Sequence, residues 1–329
     1  MGILLSLFLG VLPALFYAWF VYWLDRYEKE PKLLLGGVFI WGAVVASGGA
    51  FILNTLFGIS VFLFTGSEAA TDIATGSISA PLVEESLKGM AVLLVFLVFR
   101  KEFDNILDGI VYAGITALGF AATENSFYIY NYGYAEGGVG GALVLAFVRN
   151  ILVGWQHPFY TSFIGIGLAL ARLNRNTLIK IAAPVAGWVL AVLTHSFHNT
   201  LASLLGGLEG LAIGTFFDWT GWLFMFGVIV WAIYRERNFL RKYLREEVAN
   251  GVITAAQYKT ACSAVRVNIA RLNALAAGKY RNTRRFYHLC AELAHKKRQL
   301  DVVGEERGNT AIIKGLQAEL ARLSQGVVA

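Results

Sequence analysis

Residues 80–99 read APLVEESLKGMAVLLVFLVF. The stretch is as long as the ~20 residues that cross a bilayer as a helix, yet its first half holds Glu84, Glu85 and Lys88. Whether it is a membrane span or a soluble core helix decides the fold, and the rest of the chain answers. Of 329 residues, 57% are hydrophobic and 15% charged, where a soluble protein carries about a quarter charged. Mean hydropathy is +0.57. With so little polar surface, an all-soluble fold is excluded and residues 80–99 read as a span.

Six further stretches are comparably apolar, at roughly 2–24, 34–57, 106–129, 143–171, 179–205 and 211–234, whereas the apolar piece at 60–64 is too short to cross. The expected fold is all-α: a polytopic membrane helix bundle of about seven transmembrane helices followed by a cytoplasmic helical tail. Charge places the cut. Residues 1–234 carry 10 Lys and Arg against 14 Asp and Glu, and residues 235–329 carry 18 against 8. The first part is therefore expected to be a transmembrane catalytic domain and the second a basic cytoplasmic domain. Both cysteines, Cys262 and Cys290, fall in the tail, so no disulfide framework and no membrane thiol nucleophile are implied.

Basic loops set orientation. The links at 25–33, 100–105 and 172–180 contain Lys and Arg, and those at 58–79, 130–142 and 206–210 contain none. This alternation predicts an outside N-terminus and a cytoplasmic tail. The first span lacks a basic leader, which argues against a cleaved signal peptide. Met1-Gly2-Ile3-Leu4-Leu5-Ser6 matches a myristoylation pattern but reads better as the start of an apolar helix.

Ionisable groups inside a bilayer are costly and call for an explanation. Glu84 and Glu85 stand four and three residues before Lys88, so one helical face can pair them. Glu124 and Asn125 close the fourth span. His157 in the fifth span follows Arg149 and Asn150 by eight and seven residues, and on a continuous helix the three share a face. In the sixth span His195 precedes His198 by three and Asn199 by four. At ~1.5 Å per residue, Glu84 lies about four residues inside the outer end of its span, Glu124 about five, Asn199 about six, His195 about ten and His157 about fourteen. With tilt and uncertain span ends, all can meet in the outer half of the membrane.

Such a constellation supports three chemistries. A Glu can activate water while His and Asn stabilise an oxyanion. Glu84, Glu85, His157 and His195 can hold Zn²⁺. Or the same groups can serve a proton- or cation-coupled transporter. H-E-x-x-H and G-x-S-x-G are both absent.

The ordered set Asp25-Arg26-Tyr27-Glu28-Lys29-Glu30-Pro31, Glu84-Glu85-Ser86-Leu87-Lys88, Gly119-Phe120-Ala121-Ala122-Thr123-Glu124-Asn125, His157 and His195-x-x-x-Asn199 resembles the PrsW-type intramembrane proteases, distant relatives of the CAAX-processing endopeptidases. The resemblance spans roughly residues 10–205. It implies hydrolysis of a peptide bond near the outer boundary of a bacterial plasma membrane. The substrate would be a single-span protein, and the cleavage a step in regulated proteolysis of a signalling protein. By that likeness Glu84 or Glu85 is the base, Glu124 and His157 complete the site, and His195 with Asn199 hold the oxyanion. Lys88, Asn125 and His198 support them. The lack of a two-histidine signature on one helix with a partnering Glu favours the metal-free version, and His195 with His198 keeps the metal version open.

The tail reads as helices. Asn250-Gly251 is a stop, Thr254-Ala255-Ala256-Gln257 is a capping box, and apolar residues recur at Val265, Ile269, Leu272 and Leu275 and at Ile312, Leu316, Leu320 and Leu323. Its basic face suits anionic lipid. No nucleic-acid motif accompanies the charge. His288, Cys290 and His295 lack zinc-site spacing and read as ordinary helix residues.

Overall fold

The computed structural model describes residues 1–205, 207–305 and 308–328, and among them every regular element is helical. The chain divides into two compact units. The first comprises Met1–Leu24, Glu30–Arg172 and Leu178–Val228, and the second Asp25–Lys29, Leu173–Thr177 and Ile229–Ala329.

In the first unit, α1 (Gly2–Leu24) precedes α2 (Lys32–Ile40), which passes through a π-helical turn at Trp41–Ala46 into α3 (Ser47–Thr65). Next, α4 (Glu68–Ala74) leads through a second π turn, Thr75–Ser79, into α5 (Ala80–Val98). Much of the expected 58–79 loop is therefore helical. α6 (Ile106–Tyr128), opened by an Asn105–Asp108 capping box, is followed by a π turn at Ile129–Tyr134 and α7 (Ala135–Phe147). The expected 130–142 loop is thus helical too, with its kink at Gly138, where φ is 59°. α7 ends in a π turn at Val148–Leu152 and α8 (Gln156–Arg172) begins four residues later, so the expected continuous span 143–171 is broken beside His157. α9 (Thr177–Leu205) and the start of α10 (Gly207–Ala249) complete the unit.

Among the described residues, five helical stretches are long and apolar enough to cross a membrane: Gly2–Leu24, Lys32–Thr65, Ile106–Arg172, Thr177–Leu205 and Glu209–Ala249. α5 falls outside that set because Glu84, Glu85 and Lys88 lie within it. The fourth and fifth expected spans both fall inside the one run Ile106–Arg172.

α6 is the central helix, buried at every residue from Ile106 to Ala122. Small residues allow this. A Cβ at Gly109 would overlap the backbone of Gly165 on α8, and a Cβ at Gly165 would overlap the carbonyl of Gly109. Backbones pack this closely in membrane bundles where small residues face one another. The π turns also create acceptors, because an i→i+5 bond leaves carbonyls out of the regular ladder. Ala43 O accepts from Thr123 Oγ1 on α6 at 2.6 Å. Gly76 O and Ser77 O accept from Asn199 Nδ2 and Ser196 Oγ on α9.

The second unit packs the end of α10 with α11 (Ala255–Ala261), α12 (Ala264–Ala276), α13 (Tyr280–Val303) and α14 (Asn309–Ser324). Gly251 takes φ 71° after α10 stops, and Thr254 and Gln257 cap α11 reciprocally, as their spacing predicts. Leu240, Leu244, Phe286, Leu289, Leu293 and Leu320 form its core. His295 is buried there, 3.1 Å from Glu236 Oε1. Leu316 and Leu320 face inward, but Val265, Ile269, Leu272 and Leu275 all face outward. α12 buries Val267, Ala270 and Ala274 instead.

Candidate active site

Four helices of the first unit bring their polar side chains to one place. On α5, the i, i+3 and i+4 spacing turns Glu84, Glu85 and Lys88 inward together. Lys88 is fully buried, with Nζ 2.6 Å from Glu85 Oε1, 3.6 Å from Glu84 Oε2, and 4.2 Å above the Phe120 ring. A buried cation persists only with such partners, because the alternative is an uncompensated charge in apolar surroundings.

α6 contributes Glu124. Its Oε2 lies 2.9 Å from His157 Nε2 and also pairs with the Arg149 guanidinium. Arg149 Nε donates to Asn125 Oδ1 at 2.7 Å, and its guanidinium covers the Tyr128 ring at 4.2 Å. The break between α7 and α8 makes this possible, because Arg149 and His157 approach Glu124 from opposite sides of it. Pro158 sits safely at the start of α8, since the first intrahelical bond there is Phe159 N to Trp155 O.

His157 also places Nδ1 3.2 Å from Lys88 Nζ. From α9, His195 sets Nδ1 3.0 Å from Glu85 Oε1 and Nε2 4.0 Å from Glu84 Oε2. Thr161 Oγ1, one turn after His157, donates to Glu85 Oε2 at 2.7 Å. Glu85 is thus fully engaged. Glu84 Oε2 is buried and has no hydrogen-bond partner.

The site residues expected from sequence sort into two groups. Glu84, Glu85, Lys88, Glu124, His157 and His195 are brought together, and Asn125 reaches them through Arg149. Asn199 and His198 are not. Asn199 gives its amide to Gly76 O at 2.9 Å, because the Thr75–Ser79 π turn exposes that carbonyl beside α9. His198 instead sets Nδ1 3.1 Å from Asp218 Oδ2 on α10.

Arg149 was visible in the sequence as a neighbour of His157 but was not placed in the site. Thr161, Tyr160 and Asp218 were missed altogether. Tyr160 stacks on His195 at 4.9 Å between centroids and donates its hydroxyl to Asp218 Oδ1 at 2.8 Å. Asp218 had a signal: an acid inside the apolar stretch 211–234 is the kind of residue that calls for an explanation.

The donor set suits a divalent metal. Glu84, His157 and His195 each offer a ligand atom, all within 4.8 Å of one another, and all three residues are buried. The Glu84 oxygen that lacks a hydrogen bond lies among them. Glu85 behind His195 and Glu124 behind His157 repeat the carboxylate–histidine pairing that orients ligating imidazoles. No single helix supplies two of these ligands, so no two-histidine signature on one helix marks the set, although all three are among the ligands expected from sequence.

The chain is similar to known proteins of one family. The family model described as PrsW family intramembrane metalloprotease matches residues 30–256. The Protease PrsW of Oceanobacillus iheyensis is 30% identical over 236 residues, covering 70% of this chain and 93% of that protein. The Protease PrsW of Bacillus subtilis is 26% identical over 222 residues, covering 68% and 88%. That of Clostridioides difficile is 35% identical over 129 residues, covering 39% and 52%. No solved structure gives a significant match. The matched segment contains the whole polar cluster and ends within α11. This membrane protein is a protease, and the chain belongs to the PrsW family.

Proposed function

We propose that the cluster hydrolyses a peptide bond of a single-span membrane protein near the outer boundary of a bacterial plasma membrane, in regulated proteolysis of a signalling protein. In this reading the chain crosses about seven times, with α5 a span and α6 and α8 belonging to separate spans. The N-terminus is outside and the tail cytoplasmic, since basic links alternate with links lacking Lys and Arg.

The observation that carries the reading is Glu84 Oε2, a buried carboxylate oxygen without a hydrogen bond, within reach of two imidazoles that are each backed by another carboxylate. Glu84, His157 and His195 would hold Zn²⁺, which when bound polarises a carbonyl and makes water a stronger acid. The remaining residues position. Glu85 fixes the His195 ring through Nδ1, leaving Nε2 directed at Glu84. Thr161 and Lys88 hold Glu85 in turn. Glu124, anchored by Arg149, holds His157. A helical substrate must be unwound in the presence of water before it can be cut.

The test compares new protein N-termini in membranes of cells producing wild type or Glu84→Gln at matched levels, with metal content measured on both purified proteins. Termini confined to wild type and mapping near the outer ends of single-span proteins, with metal lost from the variant, support the reading. Identical profiles under envelope stress would sink it. Matching metal content with lost cleavage would move Glu84 from ligand to base.

A further inference from the structure

α12 presents its larger apolar side chains to the outside. Val265 is 67% exposed, Ile269 51%, Leu272 67% and Leu275 63%, while the opposite face buries Val267, Ala270 and Ala274. The i, i+4, i+7, i+10 spacing puts the four on one continuous stripe. Single exposed apolar residues are ordinary, but four on one face of one short helix form a surface that favours removal from water.

Charge identifies what covers it. Between Glu247 and Glu292 the chain contains no Asp or Glu, yet it holds Lys259, Arg266, Arg271, Lys279, Arg281, Arg284 and Arg285. Arg266 borders the stripe, and Lys279, Arg281 and Arg284 follow it directly, all exposed. A second copy pairing through this face would set like charges against each other. Nucleic acid would answer the charge and leave the apolar stripe wet. A bilayer carrying anionic headgroups answers both: apolar side chains enter the headgroup and acyl boundary while basic side chains stay at the phosphates. A chain that is itself a membrane protein keeps such a surface always at hand.

We propose that α12 docks lengthwise on an anionic lipid surface, with Val265, Ile269, Leu272 and Leu275 inserted and Arg266, Arg281 and Arg284 at the headgroups. The inference rests on the chain's being a membrane protein and not on its hydrolytic site.

The experiment uses the full-length protein, one copy per nanodisc, with a nitroxide at Leu272→Cys or, as control, at the exposed position Lys314→Cys on α14. Native Cys262 and Cys290 are buried and stay unlabelled. In discs containing phosphatidylglycerol, the label at 272 should be shielded from an aqueous relaxation agent and open to oxygen, while the label at 314 is not shielded. Wholly zwitterionic discs or raised salt should abolish the shielding. Each neutralised arginine should weaken docking roughly fivefold, so the triple variant Arg266→Gln/Arg281→Gln/Arg284→Gln should match the zwitterionic result with no change in fold. Equal aqueous exposure at 272 and 314 in every disc overturns the proposal. So does shielding that ignores lipid charge, and so does spin–spin broadening at 272 in detergent, which would assign the face to a second copy.

Discussion

Lys88 Nζ stands 3.2 Å from Nδ1 of His157, two spans apart in sequence and fully enclosed. An ammonium only donates, so Nδ1 accepts and Nε2 is left to donate to Glu124 at 2.9 Å, and a metal held by His157 would take that same Nδ1 lone pair in place of Lys88. One lysine therefore fixes the tautomer of a histidine it does not neighbour in the chain. Lys88→Met should abolish cleavage and lower stability by about 3–5 kcal/mol, the usual cost of removing one partner from a buried charge cluster. Thermal unfolding alongside peptide cleavage in proteoliposomes would read both. A variant that unfolds normally and still cuts would show that the lysine is dispensable.

The adjacent glutamates should separate cleanly. Glu84→Gln gives up only the 3.6 Å ion pair with Lys88, since Oε2 has no hydrogen bond, and should lose activity with a smaller loss of stability than Glu85→Gln. Glu85→Gln breaks contacts to Lys88, His195 and Thr161 and should lose activity together with about 3–5 kcal/mol of stability. Paired melting curves and cleavage rates decide it. Equal stability losses would contradict the difference seen in their partners.

Tyr160 acts on His195 through its ring and is held by Asp218 through its hydroxyl. Tyr160→Phe keeps the stack and should lower kcat roughly tenfold while leaving KM unchanged, because a loosened imidazole matters most at the transition state. Asp218→Asn should act in the same direction. An unchanged kcat for both would mean that the Asp218 contact is only structural.

In the second unit burial raises the Cys262 thiol to about 11, and burial also pushes Cys290 upward. Both thiols are therefore protonated at neutral pH and should resist alkylation until the unit unfolds. Because the folded pKa lies above that of the free thiol, the contribution to stability is complete below about pH 8.5 and is lost as pH climbs toward 11. Alkylation followed by mass spectrometry during denaturant titration, at pH 7 and again at alkaline pH, should give a lower midpoint at the higher pH. Rapid labelling of native protein at neutral pH would refute it.

The sequence carries information about faces better than about directions. The spacing of Glu84, Glu85 and Lys88 is helix arithmetic, and their inward turn follows because lipid repels charge. The depth estimates allow Glu124, His157 and His195 to converge, once tilt and uncertain span ends are admitted, without any contact being known. What escaped depends on tertiary packing. The interruption after Leu152 does carry a local signal, Gly154 with Pro158 four residues on, but glycine and proline are common inside membrane helices and do not by themselves mark a break. The amide of Asn199 is drawn to Gly76 O only because a π turn frees that carbonyl. The apolar rhythm of α12 marked a face correctly, but periodicity is the same whether a face looks to the core or away from it.

At Gly109 and Gly165 two main chains touch with no side chain between them. The helices that carry Glu124 and His157 are thus gauged by peptide groups, which have one size, and not by side chains, which can repack. A single methyl at that crossing would act as a shim, tilting one helix off the other and parting a pair of residues about four turns along α6 and two along α8, although every polar group of the site remained in the sequence.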